Sequence, residues 1–218
     1  MRQARGVGSA MSAPDLYAEA VARVKCGWSI IPVRNNPKTG RKEAACKWTP
    51  FQKEPPTVDK VRSLFKQGGL TGLAVILGRV SGGLYARDFD IVESYQRWAK
   101  AYPDLATTPP TYETGRGFQV LAYRPTPCKT NDLGDGELRG ANSYSVLPPS
   151  LHPSGRRYQW VVASPDVRVT VDPVAAGLAR SWLPEHPEEQ TSRGTERQRI
   201  RETEKRRITG GGREPHPR

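Results

Sequence analysis

The sequence predicts an α+β fold with antiparallel strands, and three observations predict it. Short apolar runs bounded by glycine, proline or polar residues recur at 28–33, 73–77, 118–123, 144–147 and 158–162, which is how buried strands read. Stretches with helical periodicity begin at Asp15, Thr57, Val92 and Asp172. Residues 78–83, rich in glycine, join the 73–77 run to a strand over 84–91, close enough for a hairpin and hence an antiparallel pair.

The totals bound the answer. A chain of 218 residues is long enough for one domain with a sizeable core. Its formal charge of +12 suits a polyanionic partner, nucleic acid before an acidic membrane surface. Cys26, Cys46 and Cys128 are odd in number and contain no CxxC, so neither a disulfide framework nor a zinc knuckle is expected and a reducing compartment fits. No apolar run approaches the roughly 20 residues that span a bilayer, and the N-terminus lacks the apolar core of a secretory signal.

Taken in order, residues 1–13 read as a flexible leader. A helix from Asp15 carries Leu16, Ala20, Val21 and Val24 at helical spacing and stops at Gly27. Residues 34–56 read as a polar loop with six lysines or arginines interleaved with Trp48 and Phe51. That mixture suits phosphates and bases; equally, Trp48 could anchor the loop while the charges are solvated. Thr57 caps a helix whose apolar face is Val58, Val61, Leu64 and Phe65, with Lys60 where a capping box would need an acid. A helix over 92–102 turns Tyr95, Trp98 and Ala99 inward, and 172–182 reads as a last helix. Residues 185–218 hold nine lysines or arginines against seven glutamates and, of aliphatic residues, two isoleucines, so they cannot bury a core and form a charged linker or tail. Their net +2 leaves +10 in residues 1–184, so the basic character belongs mainly to the folding part, the domain at 14–184.

Three short motifs carry chemistry. Asp88 and Asp90 stand two apart on a strand, so both side chains point to one face. Two carboxylates that close repel unless a proton or a cation lies between them, and a divalent metal is the usual partner; two solvated acids at a strand end are the plainer alternative. Thr114-Gly115-Arg116-Gly117 is a glycine-rich turn entering a strand, open to close backbone approach, with an arginine able to grip phosphate. Glu137 and Arg139 again stand two apart, reaching either a metal and a phosphate together or simply each other.

The order of these pieces resembles the primase-polymerase (prim-pol) domain of the archaeo-eukaryotic primase superfamily, found in phage and plasmid replication proteins. The resemblance runs from about Leu16 to Val162, through "YAEAVARVKCGWSIIPV", "KWTPF", "GLAVILGRVSGGLYARDFDI", "ETGRGFQVLAY" and "GELRGANSYSVLPPSLHPSGRRYQW". It implies an RRM-like antiparallel sheet with flanking helices and an N-terminal α/β unit in one compact domain. It implies that Asp88, Asp90 and Glu137 are the catalytic acids and hold two divalent ions, Mg²⁺ or Mn²⁺. Thr114, Gly115, Arg116, Gly117, Gln119, Arg139 and Lys47 would then bind the nucleotide, and the partners would be DNA template, primer and dNTP or NTP. A C-terminal helicase region in a longer natural protein and a place in the cytoplasm of a bacterial host are also implied. Two positions depart from the family. Its third acid is commonly Asp, here Glu137, and its second motif usually carries a nucleotide-contacting His, here Gln119, which can donate a hydrogen bond but carries no charge. His152 reads as a loop histidine.

The function expected is template-dependent nucleotidyl transfer, DNA polymerase with primase activity. The alternative is a non-catalytic origin or single-strand DNA-binding module. The acids discriminate, because three carboxylates on a surface meant for phosphates would repel them without metal. A metal-dependent nuclease uses similar acids; the Gly-Arg-Gly turn and the ordered resemblance speak against it.

Overall fold

The computed structural model describes residues 13–162 and 168–184; the expected leader and charged tail lie outside the described residues, apart from Ala13. In chain order it contains α1 (Ala13–Lys25), β1 (Ser29–Asn35), β2 (Lys42–Ala44), a 3₁₀ turn (Thr49–Gln52), α2 (Val58–Leu64), β3 (Gly72–Ile76), a second 3₁₀ turn (Arg79–Ser81) and β4 (Leu84–Phe89). There follow α3 (Val92–Ala101), α4 (Pro103–Thr107), β5 (Thr111–Glu113), β6 (Phe118–Tyr123), β7 (Asn131–Asp132), β8 (Gly136–Arg139), β9 (Tyr144–Leu147) and β10 (Gln159–Val162). This is a mixed α+β arrangement with two antiparallel sheets. One has the order β2-β1-β3-β9 and the other β10-β5-β6-β4-β8-β7.

The expected hairpin between the 73–77 run and the Asp88 strand is not formed. β3 lies between β1 and β9 in the four-stranded sheet, while β4 lies between β6 and β8 in the six-stranded one. Gly78, two residues past the end of β3, forms an isolated bridge to Leu84 at the start of β4. Both are nearly buried throughout, so each needs covering on two faces and takes a central place in its own sheet. The connection is held away from a tight turn by Ser81, whose Oγ donates to Ile76 O (2.6 Å) and accepts from Ser29 N–H (3.0 Å).

The six-stranded sheet serves two cores. Leu84, Ala86, Leu121, Tyr123 and Tyr112 point toward the four-stranded sheet, α1 and α2. Tyr85, Phe89, Val120, Ala122 and Leu138 point the other way, toward α3 and the 171–182 segment, with Trp98 fully buried. The period of two along β4 therefore puts Asp88 on the face turned to the four-stranded sheet, and Arg87 on the face turned to α3.

Local expectations fare variously. Thr57 Oγ1 accepts the Lys60 N–H (3.2 Å), the cap expected for α2. The 34–56 loop contains β2, hairpinned to β1, because Asn36 Oδ1 accepts the N–H groups of Lys38 (2.9 Å) and Thr39 (3.3 Å) and folds the chain back. The helix expected over 172–182 is replaced by consecutive turns. Gly177 adopts φ 65, and the N–H groups of Leu178 and Ala179 both return to Pro173 O. Trp98 Nε1–H takes the Ala176 carbonyl (2.9 Å) and Trp182 Nε1–H that of Gly177 (2.8 Å), so side chains occupy acceptors that a helix would use.

Candidate active site

The strand register aligns one row of side chains across the six-stranded sheet. Tyr112 of β5 stands opposite Gln119 of β6, Gln119 opposite Asp88 of β4, and Asp88 opposite Glu137 of β8. Directly paired residues share a face, so tyrosine, amide and two carboxylates project together between the sheets. A cavity of about 410 Å³ opens there, lined by Asp88, Asp90, Gln119, Arg116, Thr114 and Arg139 of the six-stranded sheet and its turns, by Lys42, Trp48, Tyr144 and Val146 from the four-stranded side, and by His152 and Tyr158 from the β9–β10 connection.

Asp88 is the enclosed acid, its side chain 17% exposed, whereas Asp90, just past the end of β4, is 42% exposed. Burial pushes the Asp88 carboxyl up from its ordinary value, Asp90 and Glu137 push it further, and Arg139 and Lys42 oppose them. Arg139 Nε lies 2.9 Å from Glu137 Oε2 and 3.5 Å from Asp88 Oδ2, yet aligns a hydrogen bond with neither. Its Nη1 donates to Tyr144 O (3.2 Å), which ties β8 to β9 across the cavity. Arg116, 71% exposed, lies 3.6 Å from Asp90.

The backbone of the acid strand is braced from behind. Arg87 and Asp135 form an ion pair at 2.5 Å with no exposure of either side chain. Arg87 also donates to Asp88 O and stacks on Phe89 at 3.9 Å. Asp135 O accepts the Asp90 N–H (2.9 Å), and its Oδ2 accepts the Trp182 N–H (2.8 Å). Gly136 admits this closeness, since a Cβ there would lie 2.0 Å from Asp88 O.

Two further devices orient the cavity's polar groups. The Tyr112 hydroxyl donates to Gln119 Oε1. Burial holds that phenol well above its ordinary pKa, so it remains a donor and leaves the Gln119 amide nitrogen for the cavity that Gln119 lines. Thr114 Oγ1 accepts the N–H groups of Arg116 (3.3 Å) and Gly117 (3.0 Å), which fixes the β5–β6 turn and with it Arg116.

Of the residues singled out in the sequence, Asp88, Asp90, Thr114, Arg116, Gln119 and Arg139 line the cavity. Gly115 and Gly117 build its turn, and Glu137 stands beside it, in register with Asp88. Lys47 does not line it and is exposed. The lysine of that segment in the cavity is Lys42, whose Nζ donates to Tyr158 OH at 2.5 Å. Sequence reasoning missed Lys42 because β2 is three residues long and mostly polar; alternation within it is the signal that separates Lys42 from its exposed neighbour Glu43. Trp48 both anchors its loop, edge-on to Tyr144 at 5.3 Å, and lines the cavity, so the two alternatives for it coexist. His152, expected as an ordinary loop residue, is also at the cavity.

Among the described residues, no group of three or more His, Cys, Asp or Glu side chains converges on one point as a metal would require. The donor chemistry is nonetheless that of a hard divalent cation: carboxylate oxygens, one of them destabilised by burial and like charge. Arg139 stands as the cation between Asp88 and Glu137. No helix among the described residues is long and apolar enough to cross a membrane.

None of the curated proteins compared with the chain matches it. The model of one protein family does, over residues 18–189, described as the N-terminal domain of bifunctional DNA primase/polymerase. That span includes both sheets and every residue of the cavity, and on it the chain belongs to the Prim-Pol family.

Proposed function

We propose that the cavity between the sheets is the active site of a template-dependent nucleotidyltransferase, a DNA polymerase with primase activity, serving phage or plasmid replication. Membership of the Prim-Pol family supports the activity at the level of DNA primase/polymerase. The observation that carries the reading further is the row Gln119–Asp88–Glu137, in register on one sheet face, with Lys42, Arg116 and Arg139 around it. A surface built only to hold DNA gains nothing from an enclosed carboxylate among its cations. Acids for metal beside bases for phosphate are what phosphoryl transfer needs.

Prim-Pol nucleotidyltransferases generally use divalent metals, and the carboxylates here fit Mg²⁺ or Mn²⁺ in donor type. When bound, such ions would lower the pKa of a primer 3′-hydroxyl and neutralise charge on the departing pyrophosphate. Asp88 and Asp90 would hold them, with Glu137 the third ligand once its ion pair with Arg139 opens. Arg116 grips phosphate, the Gln119 amide donates to it, and Trp48 with Tyr144 offers aromatic surface for a base. In this reading the six-stranded sheet is the RRM-like sheet, residues 14–184 are the catalytic domain, and 185–218 link it to a following region such as a helicase.

The test is nucleotide incorporation on a DNA template with Mg²⁺ or Mn²⁺, run with and without an annealed primer. Extension of the primer supports the polymerase, and products formed without one support primase activity as well. No product under either condition overturns the reading.

A further inference from the structure

Beside the acid-bearing cavity lies a second recess, about 430 Å³, lined by Gly40, Arg41, Lys42, Arg116, His152 and Pro153. Three of its six residues are cations and none is an acid. It shares Lys42, Arg116 and His152 with the first cavity, so the two are contiguous, acids at one end and bases at the other.

His152 is held in one orientation. Its backbone N–H donates to Arg156 O (2.7 Å), and its carbonyl accepts the Gly155 N–H (2.9 Å), so the turn is closed. The Ser154 backbone N–H donates to Nδ1 (3.1 Å), with Ser154 Oγ also 2.8 Å from that atom. A backbone N–H can only donate, so Nδ1 is the acceptor and the ring proton sits on Nε2. Burial, then Lys42, Arg116 and Arg156, push the imidazole pKa below its ordinary value, which agrees with a neutral ring. On its other side the ring packs on Gly115. A Cβ at Gly115 would lie 2.2–2.4 Å from His152 Cγ, Nδ1 and Cδ2, so the glycine of the turn is what makes room for the imidazole. With that edge of the ring engaged, Nε2–H is the donor left for the recesses that His152 lines.

We propose that His152, through Nε2–H, binds a phosphate oxygen in this second recess, which with Arg41, Lys42 and Arg116 holds the β- and γ-phosphates of the nucleoside triphosphate. The assignment rests on the polymerase reading and sharpens it. A cationic recess next to the acids would receive the end of the nucleotide that leaves. His152 would contribute a neutral, orientation-locked donor beside Gln119, reached from the β9–β10 connection instead of from β6.

The experiment measures equilibrium binding of dNTP, dNMP and primer–template DNA to the full chain with Mg²⁺, for wild type, His152→Ala, His152→Gln and Gly115→Ala. A lost hydrogen bond to a charged group weakens binding about tenfold or more. We expect that loss for dNTP in His152→Ala and in Gly115→Ala, where the ring is displaced but present. His152→Gln, which keeps an N–H donor, should recover part of it, and dNMP and DNA affinities should not change. Unchanged dNTP affinity in both His152 variants overturns the proposal while leaving the polymerase reading standing. A loss confined to primer–template DNA also overturns it, assigning the recess to strand phosphates. Wild-type protein that binds no dNTP overturns both.

Discussion

Replacing Asp135 with alanine leaves the Arg87 guanidinium charged, fully buried and without its carboxylate. Arg87 and Asp135 have no side-chain exposure, so solvent cannot compensate. Breaking a buried pair from one side costs about 3–5 kcal/mol. The Trp182 N–H, 2.8 Å from Asp135 Oδ2, loses its acceptor as well, which belongs to the same loss. Against a total stability of about 5–15 kcal/mol this is a large fraction. With a urea dependence of about 2 kcal/mol per molar, the unfolding midpoint should fall by about 2 M. Urea unfolding followed by circular dichroism reads this directly. The double variant Arg87→Met/Asp135→Leu removes both charges from the interior and should regain most of the stability. It should nevertheless incorporate nucleotide poorly, because it lacks the Arg87 donor to Asp88 O that braces the acid strand. A single variant that loses less than about 1 kcal/mol, within reach of an ordinary surface substitution, refutes the reasoning. So does a double variant no more stable than the single one.

Two further outcomes follow from the cavity. Asp88 binds its proton more tightly folded than unfolded, since burial and like charge raise its pKa. Its contribution to metal-free stability is therefore present below the ordinary carboxylate range and lost as pH rises through the raised value. Melting curves without metal should show Asp88→Asn gaining on wild type as pH rises toward neutrality; a constant difference across pH contradicts this. Gln119→Leu leaves the buried Tyr112 hydroxyl without its acceptor and should cost about 1–3 kcal/mol in urea unfolding, whereas an unchanged midpoint would show that the bond contributes nothing.

How much was legible in the sequence depended on the range over which each signal acts. The Thr57 cap, the Trp98 face of α3 and the strand at 118–123 are local, written in a few adjacent residues, and were readable. The pairing of β3 and β4 was not. A glycine-bearing connection between apolar runs reads the same whether the chain turns back or crosses to another sheet, and the decision was made by Ser81 reaching β1, 52 residues away. The 172–182 segment has helical spacing, but its carbonyls are claimed by Trp98 and Trp182, the first of them distant in sequence. At the site, Asp88 and Asp90 announce themselves by spacing, and Gln119 by its place in the resemblance. Lys42 reaches the cavity from the other sheet, and His152 and Tyr158 reach it from the connection between β9 and β10. Arg87 next to Asp88 and Asp135 next to Gly136 look like ordinary charges in sequence, and nothing local shows that they are buried together.

The central claim is that Asp88 and Asp90 do the chemistry of this cavity and do not merely decorate a DNA-binding face. Asp88→Ala and Asp90→Ala, compared with wild type in Mn²⁺- or Mg²⁺-dependent primer extension and in DNA binding, test it most directly. The account predicts that incorporation is abolished in each variant while fold and DNA affinity are retained. Variants that extend a primer as well as wild type, or that lose DNA binding along with activity, would contradict it.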